Sequence, residues 1–203
     1  MGFGWMPHLA ADGVEPLWLA REYGYQGRAR YSWLHPSARS ERKVQVWWVA
    51  WTEEASAWKP WNLRHALLTS VARYALGASP EGWDSLAVWE GRRTPRGRRW
   101  ARENRDYIRW IRERGGARPD AEWWRGGSSP WAVEVDTGKW DPVVLATRAR
   151  AWTGLYEGQA WVVLTPYRAS LLLPHLTKAA GHKPLTLLLL GRWWEGPEFL
   201  EVL

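Results

Sequence analysis

Four carboxylates crowd one short stretch of this chain. In ARPDAEWWRGGSSPWAVEVDTGKW, residues 117–140, Asp120 and Glu122 precede a glycine turn, and Glu134 and Asp136 follow it. Side chains alternate across a strand, so Asp120, Glu122 and Trp124 share one face of the first arm. Ala132, Glu134 and Asp136 share one face of the second. A turn near Gly127 sets Asp120 roughly opposite Glu134. Cross-strand neighbours lie about 5 Å apart, a distance at which like charges repel. A hard divalent cation would relieve that repulsion, since Mg2+ or Mn2+ prefers carboxylate oxygen, water and phosphate. Such an ion orients and acidifies a water and stabilises charge on a phosphoryl group. Two alternatives need no metal: a polar, solvated face of an antiparallel sheet, or neutralisation by nearby Arg side chains.

The elements that must position these groups can be read from the surrounding pattern. EPLWLAREYGY suggests a short helix, HPSARSERK a polar turn, and VQVWWVAW at 44–51 a strand rich in Val and Trp. After KPW, Asn62 is expected to cap a helix running to about Leu76. Leu63, Leu67, Val71 and Tyr74 line one face of that helix, and Gly77 ends it. A short strand is predicted at 85–90. A basic helix follows over about 98–114, with Arg98, Arg102, Arg105, Arg109 and Arg112 in one stripe about 21 Å long at ~1.5 Å per residue. Trp100, Tyr107 and Ile111 take its opposite face. Strands at 118–124 and 131–136 form the acidic hairpin, and Asp141-Pro142 starts a helix to about 155. A strand at 160–165, a helix at 168–179, the buried strand LTLLLL at 185–190 and a closing strand EFLEVL complete the chain.

Composition narrows the partners. The 203 residues carry 28 Lys and Arg against 21 Asp and Glu, a net charge of +7. That balance favours a polyanion, most plausibly DNA, over an acidic or neutral partner. The 20 Trp supply core volume and also surfaces on which bases can stack. The absence of Cys excludes disulfides and thiolate metal sites. The opening MGFGWMPHLAADG has no secretory pattern, and LTLLLL is too short to span a bilayer, so a soluble, cytoplasmic protein without membrane association is expected. His8, His35, His175 and His182 lack metal-ligand spacing, and His65 reads as a packed helix residue.

RPDAEWW…WAVEVDTG resembles the metal-site hairpin of the PD-(D/E)XK nuclease superfamily. Pro119-Asp120 matches its proline and first acid, and Glu134-Val135-Asp136 matches its second acid, spacer and usual Lys position. The helix–strand–strand–strand–helix–strand order from 62 to 165 is similar to its αβββαβ core, with the basic helix inserted between the first two strands. A closer resemblance is to the replication-relaxation family of bacterial plasmids and mobile elements. His65-Ala66-Leu67-Leu68-Thr69, Arg118-Pro119-Asp120-Ala121, Glu134-Val135-Asp136-Thr137-Gly138 and the stretch from Leu145 to Trp152 carry it.

That resemblance implies an α/β nuclease-like domain over 61–203, with residues 1–60 as an N-terminal extension. The extension would hold a reduced winged-helix element, with Val44–Trp51 as a wing strand. It also implies Mg2+ or Mn2+ held by Asp120, Glu134 and Asp136. Asp136 stands where the superfamily has Lys, so Lys139 and Arg148 become the candidate cations facing phosphate. Arg stabilises a phosphate's charge but does not readily give up a proton. The expected activity is slow phosphodiester cleavage in replication or mobilisation of a plasmid, phage or mobile element, in company with replication or mobilisation proteins. The alternatives are a non-enzymatic DNA-binding or assembly module, and an interaction subunit with a Trp-rich face.

Overall fold

A computed structural model describes residues 12–79, 81–85, 99, 101–103, 105–113 and 118–203. Its elements begin with β1 (Val14–Pro16), α1 (Leu17–Glu22), β2 (Arg30–Leu34), β3 (Val44–Ala50), α2 (Glu53–Ser56) and α3 (Pro60–Ala75). Then come β4 (Trp83–Asp84), α4 (Arg105–Glu113), β5 (Ala121–Trp123), β6 (Trp131–Val135), α5 (Pro142–Trp152) and β7 (Gln159–Val163). The chain closes with α6 (Pro166–Ala180), β8 (Leu185–Leu190), a 3-10 turn at Pro197–Phe199 and β9 (Leu200–Val202). This is a mixed α/β protein.

The strands form two sheets, one of order β1-β3-β2 and one of order β4-β5-β6-β7-β8-β9. The first is antiparallel throughout. In the second, β4, β5 and β6 pair antiparallel, β6, β7 and β8 run parallel, and β9 returns antiparallel. The parallel steps follow from α5 and α6, which carry the chain back across the sheet between successive strands. β6 and β7 are buried at every position, because helices cover both faces of their sheet.

α3 is the shared centre of the fold. Its Leu63, Leu67 and Val71 join a cluster containing Val14, Leu34, Val46 and Trp48 of the first sheet. The same cluster includes Val135, Val162 and Leu188 of the second sheet. The residues expected as an N-terminal extension therefore share a core with the larger sheet. Trp193 also belongs to this cluster, and its carbonyl accepts a 2.9 Å hydrogen bond from the Trp18 indole N–H. The Trp193 indole N–H reaches the Pro36 carbonyl at 3.3 Å. On the opposite face of the larger sheet, Trp161, Val163 and Leu187 pack against Leu145, Ala149 and Trp152 of α5 and Leu172 and Leu176 of α6.

Local signals explain most element ends. Asp141 caps α5 by accepting from the Val143 N–H, and Thr165 caps α6 by accepting from the Arg168 N–H. Pro occupies the first turn of both, where its missing N–H costs nothing. α3 departs from expectation: it begins at Pro60, with Lys59 and not Asn62 at the cap, and Asn62 is buried in the first turn. The strand expected at 85–90 is found at Trp83–Asp84, and 86–90 fall outside the described residues. β1 and β2 carry no clear alternation and are additions to the sequence reading. Among the described residues, no helix is long and apolar enough to cross a membrane.

One buried ionic cluster fastens β1 to α3. Arg73 donates from Nε to Asp12 Oδ2 at 2.9 Å and from Nη2 to Glu15 Oε1 at 2.6 Å. The Trp83 indole donates to Asp12 Oδ1 at 3.1 Å. Burial outweighs the attraction of Arg73 and, with the charge of Asp12, raises the Glu15 carboxyl from 4.5 to about 8. A carboxyl that holds its proton more tightly when folded stabilises the fold at low pH and loses that contribution as pH rises through the folded value. The melting temperature of the wild type should therefore fall between about pH 5 and 8 more steeply than that of Glu15→Gln. Parallel thermal melts across that range, with superimposable slopes, would refute the assignment.

Candidate functional site

The acidic hairpin forms, and its register matches the pattern. Ala121 pairs with Val133, Glu122 with Ala132 and Trp123 with Trp131; the strand expected at 118–124 is shorter, and Asp120 precedes it as a bend whose charge bears on Glu134. The face is not wet. Glu122, Glu134 and Asp136 are buried, because β6 is an interior strand with α5 and α6 packed over it. The hairpin pattern suggests a solvated face only when nothing covers it, and the covering helices lie later in the chain.

Each acid has a defined partner. Asp120 lies 2.8 Å from His65 Nε2 on α3, and its second oxygen accepts from the Val135 N–H at 2.8 Å. Its side chain keeps 22% exposure, so it sits at the rim of the site. Glu134 Oε1 accepts from Arg148 Nη1 of α5 at 2.5 Å. Glu134 Oε2 is buried and has no hydrogen-bond partner among the described residues. Asp136 accepts from Arg168 Nε of α6 at 2.5 Å and from the Gly138 N–H at 3.0 Å. That second bond closes a tight turn in which Gly138 takes φ +90°, a conformation that suits glycine. Glu122 accepts from the Tyr156 hydroxyl at 2.9 Å.

The two facing carboxyls are pushed apart electrostatically. Burial tends to raise Asp120, but His65, the Val135 N–H and Arg148 outweigh it and hold the carboxyl below its ordinary value. Glu134 goes the other way: burial and the charge of Asp120 raise it well above the ordinary range, against the pull of Arg148. Asp120 is thus the charged member of the pair and Glu134 the one that retains a proton most readily. Two carboxyls held apart in this way are a pattern found where acid–base or metal chemistry is done.

The structure brings together Asp120, Glu134, Asp136 and Arg148 and adds two residues. Arg168 stands in the first turn of α6, directly after β7, and reaches the acid at the end of β6. His65, read from the sequence as a packed helix residue, faces Asp120. Its place in HALLT, on a helix that must cover the sheet, was the available signal; nothing local marks Arg168. Lys139 does not reach the acids: its ammonium lies 5.6 Å from the centre of the Trp140 ring. The Arg148 guanidinium also lies over that ring, at 4.8 Å.

The chain matches no family model, no curated protein and no solved structure.

Of the basic stripe, Arg102, Arg105 and Arg109 are exposed, and Arg109 also bonds Asp106 at 3.0 Å. Arg98 lies outside the described residues, as does the side chain of Arg112, whose backbone is helical. The stripe does not touch the acidic site in any described contact.

Chemically, Asp120 and Glu134 offer two hard oxygen donors, one of them the unpartnered Oε2. Asp136 spends both oxygens on Arg168 and Gly138. No cluster of three or more His, Asp or Glu with metal-binding geometry occurs among the described residues. A divalent ion here would therefore take two carboxylates and complete its shell with water or phosphate, as Mg2+ commonly does. Arg148 is the group whose removal should be felt first. Arg148→Met leaves Glu134 buried without its cation and should cost about 2–3 kcal/mol, less than the ~3–5 of a fully buried pair because Arg148 is partly exposed. In a Glu134→Gln background the same change should cost little. Urea unfolding of the four proteins measures the coupling, and additive losses would show that the pair contributes nothing specific.

Proposed function

We propose that this chain is a DNA-binding protein with a PD-(D/E)XK nuclease-like core, related to the replication-relaxation proteins of plasmids and mobile elements. The observation that carries the reading is the juxtaposition of Asp120 and Glu134 at one end of an antiparallel pair, with the buried Glu134 Oε2 unpartnered. The element order α3-β4-α4-β5-β6-α5-β7, with β6 and β7 parallel, is consistent with the αβββαβ arrangement carrying α4 as an insertion. Net charge and the exposed Arg102, Arg105 and Arg109 favour DNA as the polyanion.

In this reading Asp120 and Glu134 hold Mg2+ or Mn2+. The bound ion supplies an acidified water and charge stabilisation at phosphorus. Asp136 acts as an anchor for Arg168, leaving two protein ligands from the three first expected. His65 fixes the orientation of Asp120. Arg148, released from Glu134, turns its charge toward a phosphate oxygen from the α5 side. Cleavage is slow because no Lys stands beside the second acid, where Asp136 is instead tied to Arg168. The biological setting is replication or mobilisation of a plasmid, phage or other mobile element, in the cytoplasm and with replication or mobilisation proteins as companions.

Two measurements test this. Millimolar Mn2+ or Mg2+ should raise the melting temperature of the wild type by mass action, and nicking of supercoiled DNA should be slow and favour Mn2+. Asp120→Asn with Glu134→Gln should abolish both effects, and an equal rise in melting temperature in the double variant would rule the site out. Separately, replacing Arg102, Arg105 and Arg109 by Gln should flatten the log–log salt dependence of DNA binding by roughly two to three units. An unchanged slope would move that surface elsewhere.

One observation favours a second reading. Arg148 and Arg168 already neutralise Glu134 and Asp136, which is what a fold retained for DNA binding or assembly without chemistry would need. Tight DNA binding with no cleavage by any divalent metal would decide for it.

A further inference from the structure

The hairpin of β2 and β3 carries a surface that the acidic site does not use. Tyr31 pairs across the strands with Trp47, and Trp33 with Gln45, so these four share one face. The opposite face is the buried one, where Leu34, Val46 and Trp48 meet the core. On the outer face Tyr31, Trp33 and Trp47 are 55%, 57% and 46% exposed. The rings of Tyr31 and Trp47 lie 5.3 Å apart at 53°. Cross-strand aromatic pairs stabilise a sheet modestly. That explains one pair, but not a third indole left in water beside it. β2 is also an edge strand, so the surface stays open on one side.

The charge around the rings identifies the occupant. Residues 28–50 contain Arg28, Arg30, Arg39, Arg42 and Lys43, all exposed, and one carboxylate, Glu41. Arg28 leads into β2, and Arg42 and Lys43 lead into β3, so cations stand at both ends of the aromatic row; Arg30 lies on the opposite face, over Trp48. Stacked rings between cations fit a phosphate backbone with unpaired bases. In a duplex the base faces are stacked on one another and cannot reach these rings.

We infer that the outer face of the β2–β3 hairpin binds single-stranded nucleic acid, with bases stacking on Tyr31, Trp33 and Trp47 and phosphates held by the flanking Arg and Lys. The site shares no residue with the acidic pair and does not depend on metal. The N-terminal region then supplies a second contact to nucleic acid, one that selects unpaired strands.

The test uses the full chain with a chelator present and fluorescence anisotropy of labelled oligothymidylate, oligouridylate and a duplex of equal length. Single strands should bind more tightly than the duplex, and binding of either sugar type supports the site, because stacking is blind to the 2′ position. Trp33→Ala and Trp47→Ala should each weaken single-strand binding at least about fivefold. Because an alanine variant can lose the fold, Trp33→Phe and Trp33→Leu are compared as well: both stay apolar, and only Phe retains a stacking surface and should keep affinity near wild type. The Mn2+-dependent rise in melting temperature should be unaffected in these variants, which separates failure here from failure of the acidic site. The proposal is overturned by unchanged affinity in folded Trp33→Ala/Trp47→Ala, by duplex binding as tight as single-strand binding, or by equal affinity of the Phe and Leu variants. Absence of any oligonucleotide binding would also overturn it and turn the face over to a protein partner.

Discussion

Buried carboxylates on a sheet must be matched by charge arriving from another layer, and this fold is arranged around that requirement. Glu134 and Asp136 lie on an interior strand where water cannot solvate them, so α5 brings Arg148 and α6 brings Arg168. Asp120 is met by His65 from α3 on the other side of the sheet. The same solution recurs at Arg73, which compensates Asp12 and Glu15 where β1 meets α3. Each pair ties a helix to a strand at a fixed register, because losing one partner would leave a buried polar group without its match. The ionic pairs thus set which helix turn faces which strand, while the apolar clusters supply most of the stabilisation.

The same requirement gives the acidic site its character. A site whose acids were merely solvated would bind a cation readily and release it readily. Here Arg148 competes for one of the two donors, and the unpartnered Oε2 of Glu134 is what remains for another ligand. In the proposed function, affinity for metal, the position of Arg148 and the charge seen by an approaching phosphate would therefore be one coupled quantity. The strand pattern leads to the acids; the arginines decide how those acids behave.

Much of this was legible in the sequence, and the parts that were not share a cause. The opposition of Asp120 and Glu134 follows from strand alternation and the position of the glycine turn. α5 was marked by Asp141-Pro142, and α6 was expected over 168–179. Those signals are local. The burial of Glu134, the reach of Arg168 and the contact of His65 with Asp120 all depend on which helix packs over which strand, and no neighbouring residue encodes that. β1 and β2 escaped for a related reason: β1 has three residues, all buried, and β2 shows its aromatics to solvent, so neither presents an apolar face in alternation. Arg98 and the side chain of Arg112 lie outside the described residues, so the stripe rests on Arg102, Arg105 and Arg109.

The indole of Trp18 bonds the carbonyl of Trp193, and the indole of Trp193 bonds the carbonyl of Pro36, so segments far apart in sequence meet beside α3. Contacts that span most of the sequence form late, because the intervening chain must first be gathered at an entropic cost. During synthesis the first sheet and α3 emerge long before Trp193, Leu188 and Leu190 exist to cover them. A chain growing from its N-terminus therefore leaves α3 partly uncovered until residues 188–193 have been made. Expression level should consequently follow how well that waiting surface is shielded from other chains, a quantity set by the N-terminal hairpin and invisible in the finished fold.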